Sequence, residues 1–177
     1  LCAECSRERD KSKLQEKVEK YIDNIYHFDI CHEYNCSIVA RNPKTNRHLP
    51  YDNDVSINGN HLIIEVMGEQ HYNVNAGWIR KSAEKHSLTK EELLADIQWR
   101  DEYKKQYAIS QGYHYLAIPY WTENDESYKT LIDQKIKEIL TSILNKEYDV
   151  LGFSVYIWNV VIVNEILLEL KRIGFNK

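Results

Sequence analysis

Glycine and proline are scarce in this chain of 177 residues, numbering six and three. That scarcity excludes long flexible linkers, collagen-like repeats and proline-rich disorder. Cysteine is scarce as well, and four thiols are too few for a disulfide scaffold. No secretory leader is recognisable, so the expected setting is cytoplasmic with reduced thiols. Positive charge is not in surplus: 23 Lys and Arg stand against 27 Asp and Glu, for a net charge of −4. A wholly basic nucleic-acid coat is thereby excluded, whereas a local basic face is not. Long hydrophobic runs are missing too. The longest, 150–163, is broken by Gly152, Ser154 and Asn159. It falls short of the ~20 residues that a bilayer requires, and no membrane partner is expected.

What is present has the balance of an ordinary globular protein, 43% apolar and 28% charged. A chain of this size buries about two-thirds of its unfolded surface and needs no metal or disulfide to fold. It opens at Leu1, followed by Cys2, so it is expected to be a fragment of a longer protein. Three parts are expected: 1–11 as the end of a truncated Cys-containing module, 12–145 as the core, and 146–177 as a helical extension of the same domain.

Leu14, Val18, Ile22 and Ile25 recur at helical spacing and predict a helix over 11–25. Residues 35–41 read as a strand, followed by a turn at NPKTN. A second strand is predicted over 49–57 and a third over 61–67, joined by Asn58-Gly59, a strong hairpin signal. Residues 72–88 read as irregular and polar. Thr89 with Glu92 makes a capping box for a long helix that ends at Gly112. A fourth strand over 113–119 and a helix over 125–144 complete the core. The apolar tail 153–173 reads as a helix that packs on the core or makes a homodimer contact. The order α-β-β-β-α-β-α is that of an α/β protein.

Two carboxylates stand where a core would not place them. Asp52 lies inside a strand pattern, and Glu65 interrupts the most hydrophobic strand, LIIEV. The Asn58-Gly59 hairpin sets the two strands side by side and brings both acids toward one point. Buried carboxylates need a counter-charge. Two of them plus water suit Mg²⁺, or Mn²⁺, as an oxygen-ligated metal at Asp52 and Glu65. Gln70 and His71 follow at the end of the same strand, and an imidazole there is placed to move protons. Asp101, Lys104 and Tyr107 recur along the long helix, and by themselves they read as a solvated face with an ion pair.

The segments LPYDNDV (49–55), LIIEVMGEQHY (62–72) and DEYKKQY (101–107) with Gly112, in that order, resemble the PD-(D/E)xK nuclease superfamily. Within it they look most like phage homing endonucleases of the EDxHD group, which are similar to the very-short-patch-repair mismatch endonuclease. The resemblance covers residues 12–120. It implies a restriction-endonuclease core (α-β-β-β-α-β) and a Mg²⁺-dependent endonuclease that hydrolyses double-stranded DNA in the cytoplasm of a phage host. A mismatch-directed nicking enzyme, or a DNA-binding module of nuclease origin that no longer cuts, is the alternative. Carried across, Asp52 matches the metal-binding aspartate and Glu65 the (D/E) position. His71 matches the catalytic base and Asp101 the last acid. Gln70 is assigned to hold the attacking group in line. A further glutamate is expected before Asp52: Glu33, Glu19 and Glu16 are available, while the best-matched helix position holds Gln15. The superfamily lysine, two residues after the acid, is replaced by Met67.

Cations for a DNA backbone are available locally. Arg41, Lys44, Arg47 and His48 precede the Asp52 strand, and Arg80, Lys81, Lys85 and His86 follow His71. Trp78 and Tyr72 offer faces for stacking on a base or sugar. Target-recognition modules are expected to lie outside this fragment. Cys2-x-x-Cys5 looks like half of a zinc site. Cys31 and Cys36 have the wrong spacing to complete it and read as buried, inert thiols.

Overall fold

A computed structural model describes residues 11–144 apart from Tyr34. The tail helix expected over 153–173, the extension 146–177 and the Cys2/Cys5 pair lie outside the described residues. Helix α1 (Lys13–Tyr26) begins at Ser12, whose hydroxyl accepts the Gln15 N–H at 3.1 Å, and ends at His27 in the left-handed region, φ 53°. Leu14, Val18 and Ile22 form its buried stripe, as their spacing predicts.

Strand β1 (Ile30–Glu33) comes earlier than the predicted strand. The chain at 35–36 turns, with Asn35 N–H on the His32 carbonyl and Cys36 N–H on that of Glu33. ICHE carries no apolar alternation, and antiparallel pairing with β4 is what extends it. Short strands β2 (Ala40–Arg41) and β3 (His48–Leu49) pair as a separate hairpin. The side chain of Asn42 accepts from Lys44 and Thr45 N–H to build its turn. Strands β4 (Tyr51–Ile57) and β5 (Asn60–Met67) are the predicted hairpin. Asn58 and Gly59 have φ 48° and 78°, the two positive values of a type I′ turn.

The segment expected to be irregular contains helix α2 (Gly77–His86), which buries Ile79 and Ala83. Two apolar positions are too few to show a period. The helix is supported by packing on Leu93 and Ile97 of helix α3 (Lys90–Ser110). The capping box of α3 is present in both directions, and Gly112, φ 84°, allows the reversal into strand β6 (His114–Pro119). Helix α4 (Tyr128–Leu144) follows.

The main sheet has the order β1-β4-β5-β6, with β6 parallel to β5 and the other pairs antiparallel. One face carries Val55, Leu62, Ile64 and Ile118 against α1 and α4. The other carries Tyr51 and Ile63 against Ala108 of α3 and the β2–β3 hairpin. The chain is thus an α/β fold on a mixed sheet with helices on both faces. Among the described residues no helix is long and apolar enough to cross a membrane.

Candidate active site

The site forms where β4 and β5 part. His32 pairs with Asn53 but Glu33 pairs with Tyr51, so Asp52 is the extra residue of a β-bulge. Such a bulge re-aims its side chain. Pairing between β4 and β5 likewise starts at Asn53↔Ile64 and leaves Asp52 and Glu65 beyond the ladder. The Val66 N–H donates to Asp52 Oδ2 at 2.8 Å. Burial holds the Asp52 carboxyl above the usual carboxylate range, opposed by that Val66 hydrogen bond and by the nearby charges of Lys104 and His71.

Glu65 shares strand parity with Ile63 and so faces α3. Burial pushes it up to about 8, countered by Lys104 and reinforced by Asp52. Lys104 Nζ approaches Glu65 Oε1 to 2.7 Å as an ion pair, with both side chains largely buried. The approach is out of line for a hydrogen bond, so this buried oxygen has no aligned donor. The sequence reading placed Lys104 on a solvated face; its ammonium instead points inward, 5.1 Å from the Tyr51 ring centre. Met67, at the strand position where the resembled superfamily has lysine, is buried.

His71 closes a short 3₁₀ turn, Glu69–His71, after β5. Its Nδ1 is 2.6 Å from Asp101 Oδ2, and its carbonyl accepts from Gln98 Nε2 at 3.2 Å. The pair joins the strand end to α3 and directs Nε2 away from the aspartate. Open clefts of about 230 and 240 Å³ lie along this pair. Gln70, Trp78, Arg100 and Lys104 share the first with His71; Tyr72, Gln98, Glu102 and Lys105 share the second. Tyr72 also packs edge-on to Trp121, with ring centres 4.6 Å apart, and Tyr120 adjoins both.

Asp52, Glu65, His71, Gln70 and Asp101 are therefore brought to one end of the sheet. Gln15 is buried on α1, and Glu33 ends β1 opposite Tyr51 with φ 48°. Behind Asp52 the acid is Glu19. The Asn53 amide, assigned with its nitrogen toward these acceptors, bridges Glu19 Oε1 at 3.0 Å to the Asp52 carbonyl at 3.1 Å, and Lys11 pairs with Glu19 at 2.8 Å. Lys104 and Arg100 are the site groups that the sequence reading missed. Their signal was helical spacing around Asp101, where positions 97, 100, 101, 104 and 108 share a face. Arg41, Lys44 and Arg47 are exposed on the β2–β3 hairpin, and Lys44 Nζ sits 4.2 Å over the Trp99 ring of α3. Trp78, Arg80, Lys81 and Lys85 are exposed on α2.

Among the described residues no three His, Cys, Asp or Glu side chains converge to hold a metal. Two carboxylates completed by water and substrate oxygens are nonetheless a Mg²⁺ donor set. Glu65 Oε1 already meets a cation, the Lys104 ammonium at 2.7 Å, which a metal on that oxygen would have to displace. Cys36 is buried, with Sγ 3.6 Å from the Tyr51 carbonyl, and its thiol is pushed up to about 12 by burial, the reverse of what a thiolate ligand needs. Cys31 is exposed, contrary to the buried thiol expected. Comparison with family models, with curated proteins and with solved structures finds no match to this chain.

Proposed function

We propose that the chain is a divalent-metal-dependent DNA endonuclease domain with a PD-(D/E)xK-type core. The observation that carries this reading is the bulged Asp52 beside the buried Glu65, with the His71–Asp101 pair and Lys104 at the same strand ends. Asp52 and Glu65 would hold Mg²⁺ or Mn²⁺. When bound, such a cation neutralises phosphate charge and makes water more acidic. Asp101 accepts the Nδ1–H of His71 and so fixes the tautomer whose Nε2 is a base. In hydrolysis a water oxygen adds to phosphorus, His71 Nε2 takes the water's proton, one P–O ester bond breaks, and the departing ester oxygen takes a proton from solvent to leave as the alcohol. The Lys104 ammonium supplies from α3 the positive charge that Met67 cannot.

The test is nicking of supercoiled plasmid with Mg²⁺. Loss of nicking in Asp52→Asn and His71→Ala is expected, and unchanged nicking in both would sink the assignment. A second reading, a DNA-binding module that no longer cuts, is favoured by the Lys104 ammonium, which already stands 2.7 Å from Glu65 Oε1 where a metal would bind. Calorimetry that detects neither Mg²⁺ nor Mn²⁺ binding would select it.

A further inference from the structure

We propose that the cleft beside His71 is a phosphate subsite anchored by Arg100, which binds the nucleic-acid backbone one step from the bond to be cut. The proposal rests on the nuclease reading and adds the group that would hold the strand in register.

Four residues of α3 line this cleft: Ile97, Arg100, Asp101 and Lys104. They share one helix face, with the apolar Ile97 buried among them. The charged members differ in what they already hold. Asp101 is taken by His71 at 2.6 Å, and Lys104 by Glu65 at 2.7 Å. Arg100 uses one nitrogen alone: Nε lies 3.1 Å from Asp96 Oδ2 and 3.4 Å from the Asp96 carbonyl. Its two Nη groups have no partner among the described residues. An arginine held at Nε keeps a rigid fork of N–H donors, the geometry that grips two oxygens of one phosphate. The Asp96 tether fixes the direction of that fork before any ligand arrives, which lowers the ordering cost of binding.

The surroundings fit a sugar–phosphate chain. Trp78, 53% exposed, gives the cleft a flat apolar wall, with Leu49 and Pro50 also lining it. Across the His71–Asp101 pair no arginine lines the second cleft among the described residues, and its Lys105 stands 3.7 Å from Glu102. The uncommitted cationic fork thus lies on one side of the base, so the strand would be gripped asymmetrically. Arg100 has little structural work: its pair with Asp96 is an exposed i,i+4 contact of the kind that contributes little to folding.

The experiment is fluorescence anisotropy of a labelled DNA duplex, in EDTA, over a series of KCl concentrations. Arg100→Gln should weaken binding about 3- to 30-fold and make the slope of log Kd against log salt shallower by about one. Its thermal melting should match the parent chain. Arg100→Lys should keep the slope, since the charge remains, and lose part of the affinity, since the fork is gone. Parent affinity and slope in Arg100→Gln overturn the subsite, and if plasmid nicking persists the nuclease reading survives. A shifted slope in a chain that never nicks supports the subsite and removes the cutting activity. A parent chain that binds no duplex at any salt overturns the subsite, and plasmid nicking with Mg²⁺ then decides the nuclease reading by itself.

Discussion

Two imidazoles in this fold are each held at Nδ1 by an aspartate, His71 by Asp101 at 2.6 Å and His61 by Asp54 at 2.9 Å. Taken as pairs they look alike, yet their surroundings make them opposites. Asp54 is buried and spends both oxygens inside the protein. Oδ1 meets His61, while Oδ2 accepts the Ser37 N–H at 2.8 Å and the Ser37 hydroxyl as well. His61 in turn lies against the Tyr113 ring, 5.2 Å between centres. That pair ties the loop before β2 to β4, β5 and the entry to β6. Asp101 is part-exposed and spends one oxygen on His71, while the imidazole borders two open clefts with Arg100, Lys104 and Lys105 nearby. A histidine–aspartate pair is thus a fastener where the aspartate is buried and both its oxygens are used, and a candidate proton relay where the imidazole borders open clefts beside other charged groups.

The sharpest way to break the comparison is to remove each imidazole. His71→Ala should lower plasmid nicking by about 10²–10⁴-fold, the usual worth of a positioned base, and His61→Ala should leave it within about twofold. Equal losses would mean that the second pair also acts in the reaction, or that neither does. The aspartates should reverse the ranking in stability. Asp54→Ala strands the Ser37 N–H, its hydroxyl and His61, and urea denaturation should show a loss of about 2–4 kcal/mol. Asp101→Ala removes one part-exposed pair and should cost below about 1 kcal/mol. A larger loss for Asp101 would recast that pair as structural.

Before any coordinates, the sequence separates these sites poorly. The hairpin at Asn58-Gly59, the capping box at Thr89 and the stripe of α1 are local signals, written in adjacent residues, and they place Asp52, Glu65 and Asp101 on the correct elements, whereas His71, expected at the strand's end, closes the 3₁₀ turn after it. The bulge at Asp52 has no local signal, because it arises from pairing with a strand some twenty residues away. Helix α2 escapes notice because its two buried positions show no period until α3 covers them. Lys104 reads as a surface lysine because nothing near it in sequence announces Glu65, which reaches it across the sheet-to-helix layer. Asp54 carries no mark at all, since its partners come from residues 37 and 61.

A further contrast sets two buried acids against each other rather than two imidazoles. Asp54 is surrounded by aligned donors, whereas Glu65 has a lysine close by but no aligned donor on Oε1. With its folded value near 8 against an ordinary 4.5, Glu65 keeps its proton in the folded chain over a range where the unfolded chain has released it. The folded state then binds more protons, so its stability falls as pH rises from about 4.5 to about 8 and levels off above that. In EDTA, urea unfolding at pH 6 and pH 8.5 should differ by a loss of about 2–3 kcal/mol. Glu65→Gln should flatten the dependence. Mg²⁺ or Mn²⁺ should restore stability more at the higher pH, where no proton competes for the carboxylate. A pH slope that survives Glu65→Gln would assign it to another group. A metal response equal at both pH values would separate the cation from Glu65, leaving Asp52 as its remaining anchor.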